Sequence, residues 1–160
     1  MTITPALMIG VITEKLQEVF PGEPVYENLT PVDFERPSNM VELTGLSLDP
    51  LTMGSGAVSM QYQFKITTFC EVDEVHDSHL PTLDLRAMTI LSAFAVGYLK
   101  VGDRAPKLTA CTANTGGLYD YAEVKLTLTL AMDRGEFSPE TVIPWMEQLN
   151  MKLKTKENAI

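Results

Sequence analysis

Residues 58–70 read Val-Ser-Met-Gln-Tyr-Gln-Phe-Lys-Ile-Thr-Thr-Phe-Cys. Val58, Met60, Tyr62, Phe64, Ile66 and Cys70 are apolar, and Ser59, Gln61, Gln63, Lys65 and Thr67 alternate with them. Successive side chains of a strand point to opposite faces, so a period of two predicts a half-buried antiparallel strand with one apolar and one polar face. At ~3.3 Å per residue the run is roughly 45 Å long, more than a compact domain of this size is wide. Such a strand must bend strongly or project, paired with the strand predicted at Met40–Leu48, as a long β-ribbon. A lone hairpin is marginal in water, so a ribbon implies a neighbour to pack against. Pro50, Gly54 and Gly56 place a turn or loop over residues 49–57, at the ribbon's tip.

The same alternation returns in Ala122, Val124, Leu126, Leu128, Leu130 and Met132, interleaved with Glu123, Lys125, Thr127 and Thr129. With Leu108–Ala113 before it and the turn Thr115-Gly116-Gly117 between, it predicts a hairpin. Two helical stripes flank these strands. Met8, Val11, Ile12, Leu16, Val19 and Phe20 follow a Thr4-Pro5 start and stop at Pro21-Gly22. Leu83, Ala87, Ile90, Leu91, Phe94 and Tyr98 predict a helix over residues 80–99, opened by Pro81. A short apolar piece, Val25-Tyr26, lies between the first helix and the first long strand. Val142, Trp145, Met146, Leu149 and Leu153 give a third stripe, with Pro144 inside it. Helices interrupt a largely antiparallel sheet without βαβ alternation, which makes the class α+β: a sheet with a long ribbon against two helices, plus a C-terminal helix. Residues 1–133 form the expected domain and 134–160 a helical extension.

The net charge is −9, and it is uneven: residues 1–99 hold 4 basic and 13 acidic side chains, whereas residues 100–160 hold 8 of each. With no basic stripe, duplex nucleic acid and anionic membranes lack the cations that would hold them. No apolar run reaches the roughly 18–20 residues of a membrane span, and no basic segment precedes an apolar one as in a signal peptide. Cys70 and Cys111 are too few for a disulfide framework and read as reduced, packed thiols. The nine methionines read as core filler, with Met8, Met60 and Met88 on apolar faces. The chain is expected to be soluble and made in a cytoplasm.

A search for chemistry finds little. His76 and His79 stand in an acidic run with Asp73, Glu74 and Asp77, which could converge on a metal but reads first as a solvated linker. Gly54-Ser55-Gly56 lacks the Lys-Ser/Thr of a phosphate loop. Asp120 and Glu123 beside Tyr119 and Tyr121 read as residues of a hairpin turn. No catalytic residue, cofactor or metal is expected, and the chain is not read as an enzyme.

The ordered layout resembles the tail terminator proteins of long-tailed bacteriophages. The resemblance rests on an amphipathic helix ending at Phe20-Pro21, then Val25-Tyr26-Glu27, and Phe34-Glu35-Arg36-Pro37 leading into Val41-Glu42-Leu43. After these come the long strand 58–70, the acidic linker, helix 80–99, and Tyr119-Asp120-Tyr121 entering strand 122–132. It covers about residues 4–133. The resemblance implies a virion protein forming a hexameric ring at the head-proximal end of the tail tube. That ring ends tube growth, presents a surface to the head connector, and lets DNA pass through an acidic lumen without sticking. The expected partners are other copies of the chain, the tail tube protein and the head–tail connector. Candidate contacts are Leu51 and Met53 in the tip loop, Gln61, Gln63 and Lys65 on the ribbon, and Leu118, Tyr119 and Tyr121 at the second turn. A head–tail joining or tail-completion protein of the neck is the alternative within assembly. A small soluble enzyme or ligand-binding domain is the alternative outside it.

Overall fold

A computed structural model describes residues 3–28, 32–49, 56–75, 78–115 and 120–133. The C-terminal helix expected beyond residue 133 lies outside them. The chain runs α1 (Pro5–Val19), β1 (Val25–Glu27), β2 (Ser38–Asp49), β3 (Ala57–Phe69), α2 (Leu80–Ala93), β4 (Lys107–Asn114) and β5 (Ala122–Asp133). Within the described residues the class is α+β, with one five-stranded sheet in the order β1-β2-β3-β5-β4.

Local signals set the helix limits. Thr4 Oγ1 accepts the Leu7 N–H at 3.3 Å, Pro5 occupies the first turn, and Gly22 takes a left-handed φ of 81° just past the end of α1. The second helix is shorter than its apolar spacing suggests. It ends at Ala93, with the Phe94 N–H bonding back to Ile90 O, and the chain turns at Gly97, φ 82°. Tyr98, expected on its buried face, therefore lies beyond the helix and is exposed. Met88, expected in the core, faces water as well, because Leu83, Ala87 and Ile90 take the inward positions.

Pairing within the sheet is antiparallel except at one place. β1 runs parallel to β2, with Val25 opposite Asn39 and Glu27 opposite Val41, so the sheet is mixed. β3 is its centre. It pairs with β2 from Ser38↔Phe69 to Asp49↔Ser59, and with β5 from Thr68↔Ala122 to Ala57↔Asp133. The outer end of β3 therefore has a neighbour on both sides, and the sheet is three strands wide there where the sequence suggested two. The hairpin of β4 and β5 forms as expected.

Both helices pack on one face. Tyr62, Phe64 and Ile66 of β3 and Ala122, Val124, Leu126 and Leu128 of β5 are buried with Met8, Ile12 and Leu16 of α1 and Leu83, Ala87 and Ile90 of α2. Fully burying a side chain of this size is worth about 1.5–3 kcal/mol, so these two layers dominate stability. Tyr62 keeps its hydroxyl inside by donating to Ile3 O at 3.4 Å.

Candidate functional site

The other face of the sheet bears the polar half of the alternation. Cross-strand partners share a face, so the register assembles rows across it: Ser47, Gln61 and Thr129; Gly45, Gln63 and Thr127; Glu42, Lys65 and Lys125. Gln61, Gln63 and Lys65, predicted as contact residues, are thus brought together on one surface. Their side chains hold each other. Ser47 Oγ donates to Gln61 Oε1 at 3.3 Å, and Gln63 Nε2 donates to the same oxygen at 3.5 Å. Gly45 leaves room for this: a Cβ there would stand 3.0 Å from Gln63 Oε1.

Lys65 is the electrostatic centre of the face. It sits directly opposite Lys125 on one side, an unfavourable neighbour, and is drawn to Glu42 Oε2 at 3.2 Å and Glu123 Oε1 at 3.7 Å. Burial is the largest single influence on it and favours the neutral form. The hydrogen bonds and charges of Glu42 and Glu123 together outweigh burial and raise the pKa above 10.5. Because the folded value is raised, the trio's contribution to stability is fully present below 10.5 and is lost as pH climbs through the folded value. Lys65→Met should therefore lower the urea midpoint at neutral pH, with the gap to wild type closing on the alkaline side. A gap that stays constant with pH would show that the ion pairs contribute nothing.

Towards one end, the polar face is covered. Thr67, Phe69 and Ser38 are buried although they belong to it. Phe34 lies on Phe69 with ring centroids 4.6 Å apart, and the Arg36 guanidinium sits 5.1 Å from the Phe34 ring and 5.2 Å from the Phe69 ring. Arg36 Nη2 pairs with Asp120 Oδ2 at 3.1 Å, and Ser78 Oγ bonds Asp120 at 3.3 Å. Three segments distant in sequence are pinned here. Tyr121, another predicted contact, is half-buried against Phe69 at 6.1 Å. Leu51, Met53, Leu118 and Tyr119 lie outside the described residues, as do His76 and Asp77.

At the opposite end, Leu46 and Leu48 are 49% and 53% exposed. They stand on the helix-side face of the sheet, opposite Tyr62 and Met60, where apolar side chains are normally covered.

A second polar site lies on the helix side, and the sequence reading did not include it. Arg86 of α2 is buried. Its Nη1 donates to Glu23 Oε1 at 2.9 Å, its Nη2 to the other Glu23 oxygen, and its Nε to Thr68 Oγ1 at 2.8 Å. Asn39 Oδ1 accepts from it at 3.4 Å, and the Phe20 ring lies 4.2 Å from Cζ. The signal was there: Arg86 follows Leu83 by three and precedes Ile90 by four, a charge inside an apolar helix stripe. A cavity of about 280 Å³ adjoins it, lined by Pro37, Cys70, Glu71, His79, Thr82 and Arg86. His79 Nδ1 is 2.7 Å from Thr82 Oγ1, at the start of α2. The Arg86 guanidinium at this cavity is already engaged by the Glu23 carboxylate. Cys111, on β4, has its thiol pushed up by burial, which keeps it protonated and weakly nucleophilic. Among the described residues no group of three or more His, Cys, Asp or Glu side chains could hold a metal ion.

No protein-family model matches the sequence, and no curated protein does. One solved structure shares 11% identity at a TM-score of 0.45, covering 80% of this chain and 94% of that one.

Proposed function

We propose that the chain is a structural subunit of a phage tail, forming a ring at the head-proximal end of the tail tube. The ring ends tube polymerisation and offers the attachment surface for the head connector, and DNA passes through its lumen without specific binding. The protein acts in the virion, through contacts, and carries no catalytic centre. The observation that supports this most is the polar face bearing Gln61, Gln63 and Lys65, on which Gln63 is exposed, together with the outer end of the opposite face, where Leu46 and Leu48 are left in water. A ring needs two different surfaces on each subunit that meet head to tail and close. The open polar face and the apolar end of β2 are two such surfaces. The ordered layout of helices and strands, which resembles the tail terminators, supports the same reading.

Light scattering on the purified chain tests it first: a particle of about six subunits is the expected result, and a strict monomer across the micromolar range overturns the ring. Added to polymerising tail-tube subunits, the chain should then cap them and fix their length. Binding to head-side connectors alone would replace the terminator with a joining protein of the neck.

A further inference from the structure

Among the described residues the sheet ends in two open edges. On one side β1 pairs with β2 only from Asn39 to Val41, so β2 stands open from Glu42 to Asp49. On the other, Gly97 and Tyr98 reach only Leu108 and Lys107, so β4 stands open from Thr109 to Asn114. Open edges of natural sheets are usually guarded by charges or proline. Residues 109–114 read Thr-Ala-Cys-Thr-Ala-Asn and carry neither.

We propose that β4 of one copy pairs edge to edge with β2 of the next, antiparallel, so that the sheet of each subunit continues into its neighbour's. Direction fits. β2 is antiparallel to β3, β3 to β5 and β5 to β4, so β2 and β4 run in opposite directions. A copy rotated about an axis near the strand direction therefore sets its β4 antiparallel to this β2. Height fits as well. The register runs from Gly45 through Gln63 and Thr127 to Ala110, and both edge strands shift register just there, after Leu43 and after Leu108. The two edges thus bend at one level. Charge sets which edges meet: β1 and β2 carry Glu27, Glu42 and Asp49 and no base, whereas residues 100–107 carry Lys100, Arg104 and Lys107 against Asp103. Asp49 and Lys107 are both exposed on the polar face, through their partners Ser59 and Thr129. Unlike edges attract and β2 repels its own kind, which makes the contact heterologous. The pairing also accounts for Leu46 and Leu48. Leu46 is level with Leu108 on the helix side, and α2 packs on β4, so the neighbour's helix layer arrives beside both leucines. The pairing names the contact of the proposed ring and rests on that reading in one respect, that copies of the chain associate.

Cys111 lies on the open part of β4, with its side chain on the helix side opposite Leu126, so it serves as a built-in reporter. Leu43→Cys, Leu46→Cys and Leu48→Cys place a thiol on the same face of β2, and Ser47→Cys places one on the other face. Within one subunit β2 and β4 are three strand spacings apart, roughly 14 Å, too far for a disulfide. With copper phenanthroline as oxidant, at least one of the three leucine variants should give a ladder of covalent oligomers on a non-reducing gel. The yield should be severalfold above that of Ser47→Cys and should vanish when Cys111→Ser is added. Lys107→Glu should raise severalfold the concentration at which the particle forms, with circular dichroism unchanged, and adding Asp49→Lys should restore it. A particle of several subunits that gives no ladder in any of the three variants overturns the pairing and leaves the ring to another surface. A wild-type dimer linked through Cys111 of both copies means that β4 meets β4, and overturns it too. A ladder on particles that grow without closing retains the pairing and removes the ring. A strict monomer overturns both.

Discussion

Arg86→Met should destabilise the protein by about 3–5 kcal/mol, because it leaves the Glu23 carboxylate in a low-dielectric site with its bidentate partner gone. Arg86 is inside α2's apolar stripe, and its guanidinium binds Glu23, Thr68 and Asn39 while stacking on Phe20. Glu23 keeps 18% of its side chain in water, which places the expected loss at the lower end of that range. A single domain is stable by about 5–15 kcal/mol, so the change would remove a large share of the total. Two further variants separate pairing from packing. Arg86→Lys keeps the charge but not the planar fork, and should recover only part of the loss. Arg86→Met with Glu23→Leu removes both charges and should recover most of it, since a buried ion pair replaced as a unit is often neutral. The measurement is urea unfolding followed by circular dichroism. A single variant within about 0.5 kcal/mol of wild type would show that water, and not Arg86, satisfies Glu23.

That cluster also marks where sequence reading stops. The alternations in residues 58–70 and 122–132 and the stripe of α1 were legible because each is a local period, readable within one element. They led to the right class, the right helix side for Phe64 and Leu126, and the right polar face for Gln61, Gln63 and Lys65. Contacts between distant segments have no such period. Glu23 meets Arg86 across 63 residues, and Arg36 meets Asp120 across 84. The parallel pairing of β1 was hidden for a related reason, since three residues carry too little pattern to choose a partner. Thr67 alternates as a polar residue should, yet it is buried, at the end of the sheet where Phe34 and Arg36 pack on Phe69. The width of the sheet at its outer end depended on how far β5 accompanies β3, which is a matter of register and not of either strand alone.

Adjacent positions on β3 should give opposite results, and this contrast tests fold and function together. Phe64 is fully buried, with Leu43 and Leu126 as its cross-strand neighbours. Phe64→Ala should cost about 3–5 kcal/mol through the cavity it opens. Phe64→Asp should abolish folding, because an isolated carboxylate in this core either stays charged without a partner or takes up a proton at comparable cost. Gln63, one residue earlier, points to the uncovered face and is exposed. Gln63→Glu should leave stability within about 0.5 kcal/mol. Its effect should appear in assembly, where a new negative charge near Glu42 alters the surface offered to a neighbour, and light scattering should record a smaller particle than wild type at equal concentration. A folded Phe64→Asp would mean that the strand is shifted by one residue, since a one-residue slip exchanges the two faces. A Gln63→Glu chain that folds and assembles as wild type, joined by Gln61→Glu with the same outcome, would take the polar face out of the ring contact and leave the apolar end of β2, at Leu46 and Leu48, as the surface to test.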